Sequence, residues 1–437
     1  MPSFQQLEIT TGRGQVTRRH FLRNITAGAL ATGTLNFREL CALGAGALQK
    51  QGMSLILLWM QGGPSQFETF DPKPGTATGG PTEAIETAVP GIRIAQWWER
   101  TAQQMQDIAL IRSMTNKEGE HARATYQMHT GYLPTGALRH PSLGCSIAKE
   151  LAPADHNLPA VVSIGPGGRN AAQFVGSGFL GVDVDPFIVD TPGSIPRNVG
   201  LATPSPRFER RLGLLGELEN DFAARGGEVA VADHRQLYEK TRRLVQSSDV
   251  QTFEFRDESP QTKAQYGDSD FGRGCLLARR LVEAGVTFVE VRSTGPNGNW
   301  DTHRDNFTQV ATNAKVVDPA FAALVADLKQ RGLLSRTLVV WMGEFGRTPR
   351  INPNTGRDHY PRVFSAAVAG AGIRGGQVIG ESTADGSAVK SDPVTAPDFF
   401  TTLCKALKVD STKENLSPIG RPLKIVDGGN PVDKLLG

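Results

Sequence analysis

The chain has 437 residues, with 47 Lys/Arg against 44 Asp/Glu and a formal net charge of +3. Residues 1–47 hold five of the Lys/Arg and two of the Asp/Glu, so the remainder carries 42 of each and no net charge. A neutral body of about 390 residues is long enough for a large core. It offers no bulk electrostatic case for nucleic acid or anionic membrane.

Near the N-terminus, Thr17-Arg18-Arg19-His20-Phe21-Leu22 places two adjacent arginines before x-Phe-Leu, the pattern of a twin-arginine export signal. A weakly apolar Gly/Ala/Thr-rich segment, Ile25 to Leu35, follows and is too short to span a bilayer. Ala45-Gly46-Ala47 offers a small-residue cleavage site. The expectation is a signal peptide over 1–47, read by the twin-arginine translocase, and a mature domain over 48–437 in the periplasm or cell envelope. Arg38-Glu39-Leu40 before Cys41 lacks the small residues that lipid anchoring needs. Cys145, Cys275 and Cys404 are odd in number and widely spaced, which fits buried packing better than disulfides or a zinc site. No later apolar run is long enough for an integral membrane segment.

Met53 to Met60 is a continuous apolar run ended by Gly62-Gly63-Pro64, the pattern of a buried parallel strand opening into a loop. Similar runs recur at Ile108–Ile111, Ala160–Ile164, Val286–Val291, Thr337–Trp341 and Ser365–Val368. Residues 71–91 and the Gly/Pro-rich stretch 165–205 read as ordered loops, and 206–250 as a charged helical pair, an insertion or cap over the sheet. Phe271–Ala284 reads as a helix closed by Gly285. Asp318-Pro319 has the signature of an N-cap and first helical residue, so a helix is expected to begin there. Helix and strand in alternation predict an α/β fold with helices on both faces of the sheet.

Active sites in such folds gather at the carboxyl ends of strands. Four polar clusters fall near those ends: Gln61 to Asp71, Glu118 to His121 leading into a helix that ends His129-Thr130-Gly131, Asn299 to His303, and Gly343 to Tyr360. Each has an ordinary reading. Asp301-x-His303 could be a helix cap with a surface imidazole, Asp358-His359 a sharp turn, and Arg347 and Arg357 loop ion pairs. His129 could support His121 or simply pack in its helix, and His140, His156 and His234 read as surface residues. Taken together, Asp301, His303, Glu344, Asp358 and His359 form a donor set suited to zinc, manganese or iron. Trp300, Phe345 and Tyr360 would wall it from water.

The motifs Gly62-Gly63-Pro64-Ser65-Gln66 with Phe70-Asp71-Pro72-Lys73, then Trp300-Asp301-Thr302-His303, Glu344-Phe345-Gly346-Arg347-Thr348-Pro349 and Gly356-Arg357-Asp358-His359, resemble the DUF1501 family of exported bacterial proteins. The resemblance runs from about residue 52 to Gly420-Arg421-Pro422-Leu423. It implies a three-layer α/β/α sandwich with a mostly parallel sheet, similar to alkaline phosphatases and sulfatases, and hydrolysis of phosphate or sulfate esters at a metal site. His121 lies nine residues before Thr130-Gly131, as the sulfatase nucleophile does before its Thr-Gly. The implied roles are His121 as nucleophile, general base or ligand, Arg347 as a catalytic clamp, Ser65 and Arg357 as contacts to a small-molecule or glycan-linked anionic ester, and one divalent metal. Three departures stand out. Gln61 stands where the superfamily has a metal-binding Asp, His121 replaces a hydroxyl or thiol, and Glu344 replaces an Asp-His pair. They keep open an alternative, a non-catalytic periplasmic binding protein on the same fold.

Overall fold

The computed structural model describes residues 52–437 except 137, 154–155, 167–173, 198, 201–204 and 295–299. The expected signal peptide, Cys41 and Asn299 lie outside the described residues.

Among the described residues, nine strands form the central sheet: β1 Ser54–Met60, β2 Ile108–Thr115, β3 Val161–Ile164, β4 Phe187–Val189, β5 Phe288–Ser293, β6 Thr337–Met342, β7 Phe364–Ala369, β8 Gln377–Ile379 and β9 Val394–Thr395. Their order is β8-β2-β7-β6-β1-β5-β3-β4, with β9 also on β2. All pairings are parallel except those of β7, which runs antiparallel between β2 and β6. Each expected strand is present. The loop reading of 165–205 needs one correction, because Phe187–Val189 adds the edge strand β4. The loop reading of 71–91 needs another, since Ala84–Glu86 pairs with Arg93–Ala95 in a small hairpin.

β1 is buried over its whole length, and its alternate residues serve two cores. Ile56, Leu58 and Met60 pack with α5 (Asp270–Glu283) and α6 (Asn306–Gln330). Leu55, Leu57 and Trp59 pack on the other face with α1 (His121–Thr130), α2 (Leu143–Leu151) and α7 (Ala396–Ala406). The result is the expected three-layer sandwich. At roughly 1.5–3 kcal/mol per large apolar side chain buried, the two cores are its main source of stability. The charged stretch 206–250 forms two helices, α3 (Ser205–Phe222) and α4 (Glu228–Gln246). No described helix is long and apolar enough to cross a membrane. Cys145, Cys275 and Cys404 are free and buried.

The helix expected to start at Asp318 starts twelve residues earlier. α6 runs from Asn306 through Pro319 to Gln330. Asp318 is a cap for a different helix: its carboxylate accepts from the backbone N–H of Arg100 (2.9 Å) and Thr101 (2.7 Å). The short helix Glu99–Gln103 has Trp98 at its N-cap, which supplies no capping side chain. A buried carboxylate from across the structure satisfies those donors instead.

Candidate metal centre

β1, β5 and β6 lie side by side, so the loops leaving their carboxyl ends meet. Gly62 makes the meeting close. It sits at φ +111, and a Cβ on it would stand 2.6 Å from the backbone nitrogen of Asp301 and 2.7 Å from that of Trp300. Trp300 N–H donates to the Gln61 carbonyl at 2.8 Å, which anchors the Asp301 loop against the end of β1. His121 opens α1, whose N-cap is the Glu120 carboxylate. A two-residue hairpin sets His359 opposite Arg347, and Tyr360 opposite Gly346.

These elements bring His121, Asp301, His303 and His359 together. One donor atom each from His121, Asp301 and His359 lies within 4.8 Å of the others. Asp301 is the centre. Its carboxylate lies 3.2 Å from His121 Nε2, 3.0 Å from His303 Nε2 and 3.2 Å from His359 Nε2. His303 Nε2 and His359 Nε2 are 3.1 Å apart.

The opposite ring nitrogens decide the tautomers. His121 Nδ1 faces the Glu344 carboxylate at 2.7 Å, His303 Nδ1 faces Asp358 at 2.8 Å, and His359 Nδ1 faces the Gly119 carbonyl at 2.8 Å. Carboxylates and carbonyls only accept, so each Nδ1 carries the proton and donates. Rings held this way turn three Nε2 atoms toward Asp301, and each offers a lone pair when it is unprotonated. Two lone pairs at 3.1 Å repel unless a proton or a cation lies between them. His121 Nε2 is also buried and has no aligned hydrogen bond among the described residues. An imidazole with Nδ1–H fixed on an oxygen and Nε2 free is the usual state of a histidine metal ligand. Ligand atoms about 2.0–2.2 Å from one ion stand roughly 3–3.5 Å apart, and the contacts of Asp301 with the three rings, 3.0–3.2 Å, have that spacing. The donor set therefore fits a divalent cation of the zinc, manganese or iron type.

In the metal-free cluster a proton takes the place a cation would fill. Burial opposes charge on His121, but Asp301 and Glu344 outweigh it and raise its pKa to about 9. Burial pushes the Asp301 carboxyl up, yet His121, His359 and Arg347 hold it well below the usual carboxylate range. The Asp358 carboxyl is lowered by its bond from His303.

Several sequence expectations are corrected here. Glu344 is fully buried and stands outside the donor set, its oxygens taken by His121 Nδ1 and the Gly62 N–H. Asp358 likewise stands behind His303 instead of among the donors. Arg347 is buried, with Nε on the Gly63 carbonyl at 2.9 Å, Nη1 on the Arg357 carbonyl at 3.1 Å, and Nη2 on Asp301 and the Gly62 carbonyl. Four of its five N–H donors are spent there and the side chain is fully buried, so it positions Asp301 instead of reaching a substrate. Arg357 is buried too, paired with Glu68 at 2.8 Å and stacked 4.3 Å from the Phe67 ring, so it cannot contact a ligand. Ser65 is fully buried and equally out of reach. Trp300 belongs to the core beside Trp98 and Trp341. Phe345 does wall the site, with its ring centroid 5.0 Å from that of His121 and 4.6 Å from that of His359. The Tyr360 hydroxyl turns to the Ser387 carbonyl.

His129 takes no part. Its ring nitrogens face the Thr125 carbonyl and Glu290, apart from the donor set. His140 is buried against Tyr126 and Tyr132 and is not a surface residue. Three supports escaped sequence reasoning. The Gly119 carbonyl carries no sequence signal. Asn116, which donates to the Glu344 carbonyl at 2.7 Å, looked like any loop residue. Gln66 lies inside a motif singled out above, but not its double bond to the Arg347 backbone, 2.9 Å each way.

Residues 53–436 match the profile of a family described as protein of unknown function, DUF1501. The chain belongs to the DUF1501 family. No curated protein matches it by sequence. Among solved structures, this DUF1501 chain is similar to a phosphonate monoester hydrolase from Silicibacter pomeroyi, at 12% identity and TM-score 0.42, covering 88% of this chain and 76% of that one. It is similar to a sulfatase from a Pseudoalteromonas species, at 11% identity and TM-score 0.38, covering 90% and 72%. It is also similar to alkaline phosphatase from the Antarctic bacterium TAB5, at 13% identity and TM-score 0.36, covering 81% and 98%. The likeness is one of fold, and the site's chemistry is set by the side chains described above.

Proposed function

We propose that this DUF1501 protein is an exported, metal-dependent hydrolase of phosphate or sulfate esters, acting on a small-molecule or glycan-linked anionic substrate. One observation carries the reading: three imidazoles, each fixed through Nδ1, turn Nε2 toward the Asp301 carboxylate. His121, Asp301, His303 and His359 would hold the cation. A cation there supplies Lewis-acid polarisation of the ester oxygens and activation of water. The chain's own contribution is orientation. Glu344, Asp358 and the Gly119 carbonyl fix the rings, Arg347 fixes Asp301, and Phe345 excludes water from one side. His303 is the most exposed ligand, at 44%, so the substrate would approach from its side. With Nδ1 committed to Glu344 and Nε2 among the donors, His121 is assigned to ligation in preference to nucleophilic attack.

The test is metal analysis of the folded, purified protein, then a screen of aryl phosphate, phosphodiester and sulfate esters across zinc, manganese and iron. About one equivalent of metal and turnover of one ester class, both lost in His303→Ala, is the expected result. Protein that binds no metal and turns over no ester overturns it. A second reading, a non-catalytic binding protein, is favoured by one observation: both arginines expected to clamp an anion are buried and committed elsewhere. Stoichiometric metal without turnover of any ester would select it. Export is tested separately. Arg18→Lys combined with Arg19→Lys should leave the precursor in the cytoplasm, and unchanged periplasmic yield on fractionation would remove the twin-arginine route.

A further inference from the structure

One strand along the same carboxyl edge, beyond β5, lies a cavity of about 230 Å³. Gly165 after β3, Arg292 and Ser293 at the end of β5, Ser269 at the N-cap of α5 and Val316 on α6 line it. Arg292 is only 5% exposed. Its Nη2 donates to the Gly165 carbonyl at 3.2 Å, and its Nε has no hydrogen-bond partner among the described residues. Glu290, two residues back on the same face of β5, spends its oxygens on His129 and Ser163. Asp270 also lines the cavity, but its carboxylate is bonded to Arg273. Arg292 and the Glu290 carboxylate meet through charge alone, so the buried guanidinium donates to one carbonyl and keeps its Nε–H unspent, a state proteins retain only where something compensates it. The N-terminal end of the 14-residue helix α5 adds positive potential at the same wall.

We propose that this cavity is an oxyanion subsite, taking a carboxylate or sulfate group through the Arg292 guanidinium. Arg292 and Asp301 lie nine residues apart on one connection, Arg292 in β5 and Asp301 in the loop that follows. Ser293, which lines the cavity, accepts from Trp300 Nε1 at 3.2 Å and from the Gln61 N–H at 3.1 Å, so the subsite neighbours the Asp301 loop, and the natural ligand is a molecule with two anionic groups, one at each place. That last assignment rests on the hydrolase reading, whereas anion binding at Arg292 does not. The planar fork of Arg292 suits a carboxylate or sulfate better than a lysine would.

The test uses the mature chain, with and without bound metal, and with His303→Ala to disable the neighbouring centre. Sulfate and, in a second arm, a methyl glucuronoside are titrated by calorimetry at constant ionic strength. Saturable binding of at least one probe is expected in all three forms, weakened about tenfold or more by Arg292→Gln. Val316→Trp, which fills the cavity and leaves the arginine in place, should abolish it. Sulfate alone or the sugar acid alone would each support the subsite and tell which source fits. Absence of saturable binding in the unmutated protein, or binding unchanged by Val316→Trp, overturns the proposal even if Arg292→Gln does not fold. Loss of ester turnover with anion binding intact would instead strike the hydrolase reading alone.

Discussion

At the scale of single residues, the decisive feature is division of labour between ring nitrogens. Glu344 touches no substrate, yet it chooses the tautomer and angle of His121. Glu344→Gln keeps the shape but can present its amide N–H to Nδ1, which would reverse the tautomer. Partners of this kind are worth about 10–100-fold in metal affinity. A loss of that size, read by chelator competition with unchanged circular dichroism, is expected; unchanged affinity would reduce Glu344 to a packing residue. The pH dependence follows from His121. Its pKa in the metal-free cluster is raised to about 9, so at pH 7 to 8 the ring is protonated before a cation arrives. A cation needs the lone pair, and uptake must expel that proton. Affinity should therefore climb as pH rises toward 9 and flatten above it. Calorimetry in buffers of different ionisation enthalpy should show protons released at pH 7.5 and fewer at pH 10.

At the scale of elements, the site depends on caps and close approaches made between segments distant in sequence. Asp318 is an example away from the metal centre. It spends a buried carboxylate on the Arg100 and Thr101 N–H groups, and burial keeps its own pKa raised even against those bonds. Asp318→Ala should cost about 1–2 kcal/mol, as cap removals do. The loss should appear in the denaturation midpoint, with metal affinity unchanged, because the helix at 99–103 lies apart from the donor set. A variant as stable as the parent would mean water replaces the carboxylate. Gly62 is the corresponding close approach at the site itself, where any side chain would press the Asp301 loop off the end of β1.

At the scale of the whole molecule, the helical layer formed by α5 and α6 is pinned by charge as well as by apolar packing. Arg279 is 1% exposed and lies 2.6 Å from Glu258, 2.7 Å from Glu283 and 2.9 Å from Asp327. Only the bond to Glu283 is aligned as a hydrogen bond, so the other two pairings are chiefly coulombic. Arg279→Met would leave Glu258 and Asp327 partly uncompensated, at a cost of about 3–5 kcal/mol. The Glu258 carboxyl, pushed up by burial, is brought below its ordinary value by Arg279 and Arg280. A depressed pKa means stability that is present above the unfolded value, about 4.3, and lost as pH falls through the folded one. Unfolding free energy of the parent should thus drop below pH 4.5. In Arg279→Met that acid slope should be shallower; equal slopes would place the acid sensitivity elsewhere.

The chain's periodicity was enough to read the fold class. Six buried runs became six strands because a short continuous apolar stretch hides both faces inside a sheet covered on both sides. Where each strand stopped also announced where polar residues would gather, and Asp301, His303 and His359 were legible on that ground. The sequence could not separate ligands from their supports, since Glu344 and Asp358 have the same chemistry as a donor and differ only in which side of a ring they meet. Nor could it show that Arg347 and Arg357 face inward, because an arginine after a loop glycine serves equally as an anion clamp or as a bolt on backbone carbonyls. Asp318-Pro319 was misread for the same reason: a cap signature is local, while the N–H donors that Asp318 accepts from were 217 and 218 residues away. Composition and period act along the chain and survive in any fold that buries them. The direction of a side chain is a property of the packed molecule, and at this site direction alone divides the ligands from the residues that hold them.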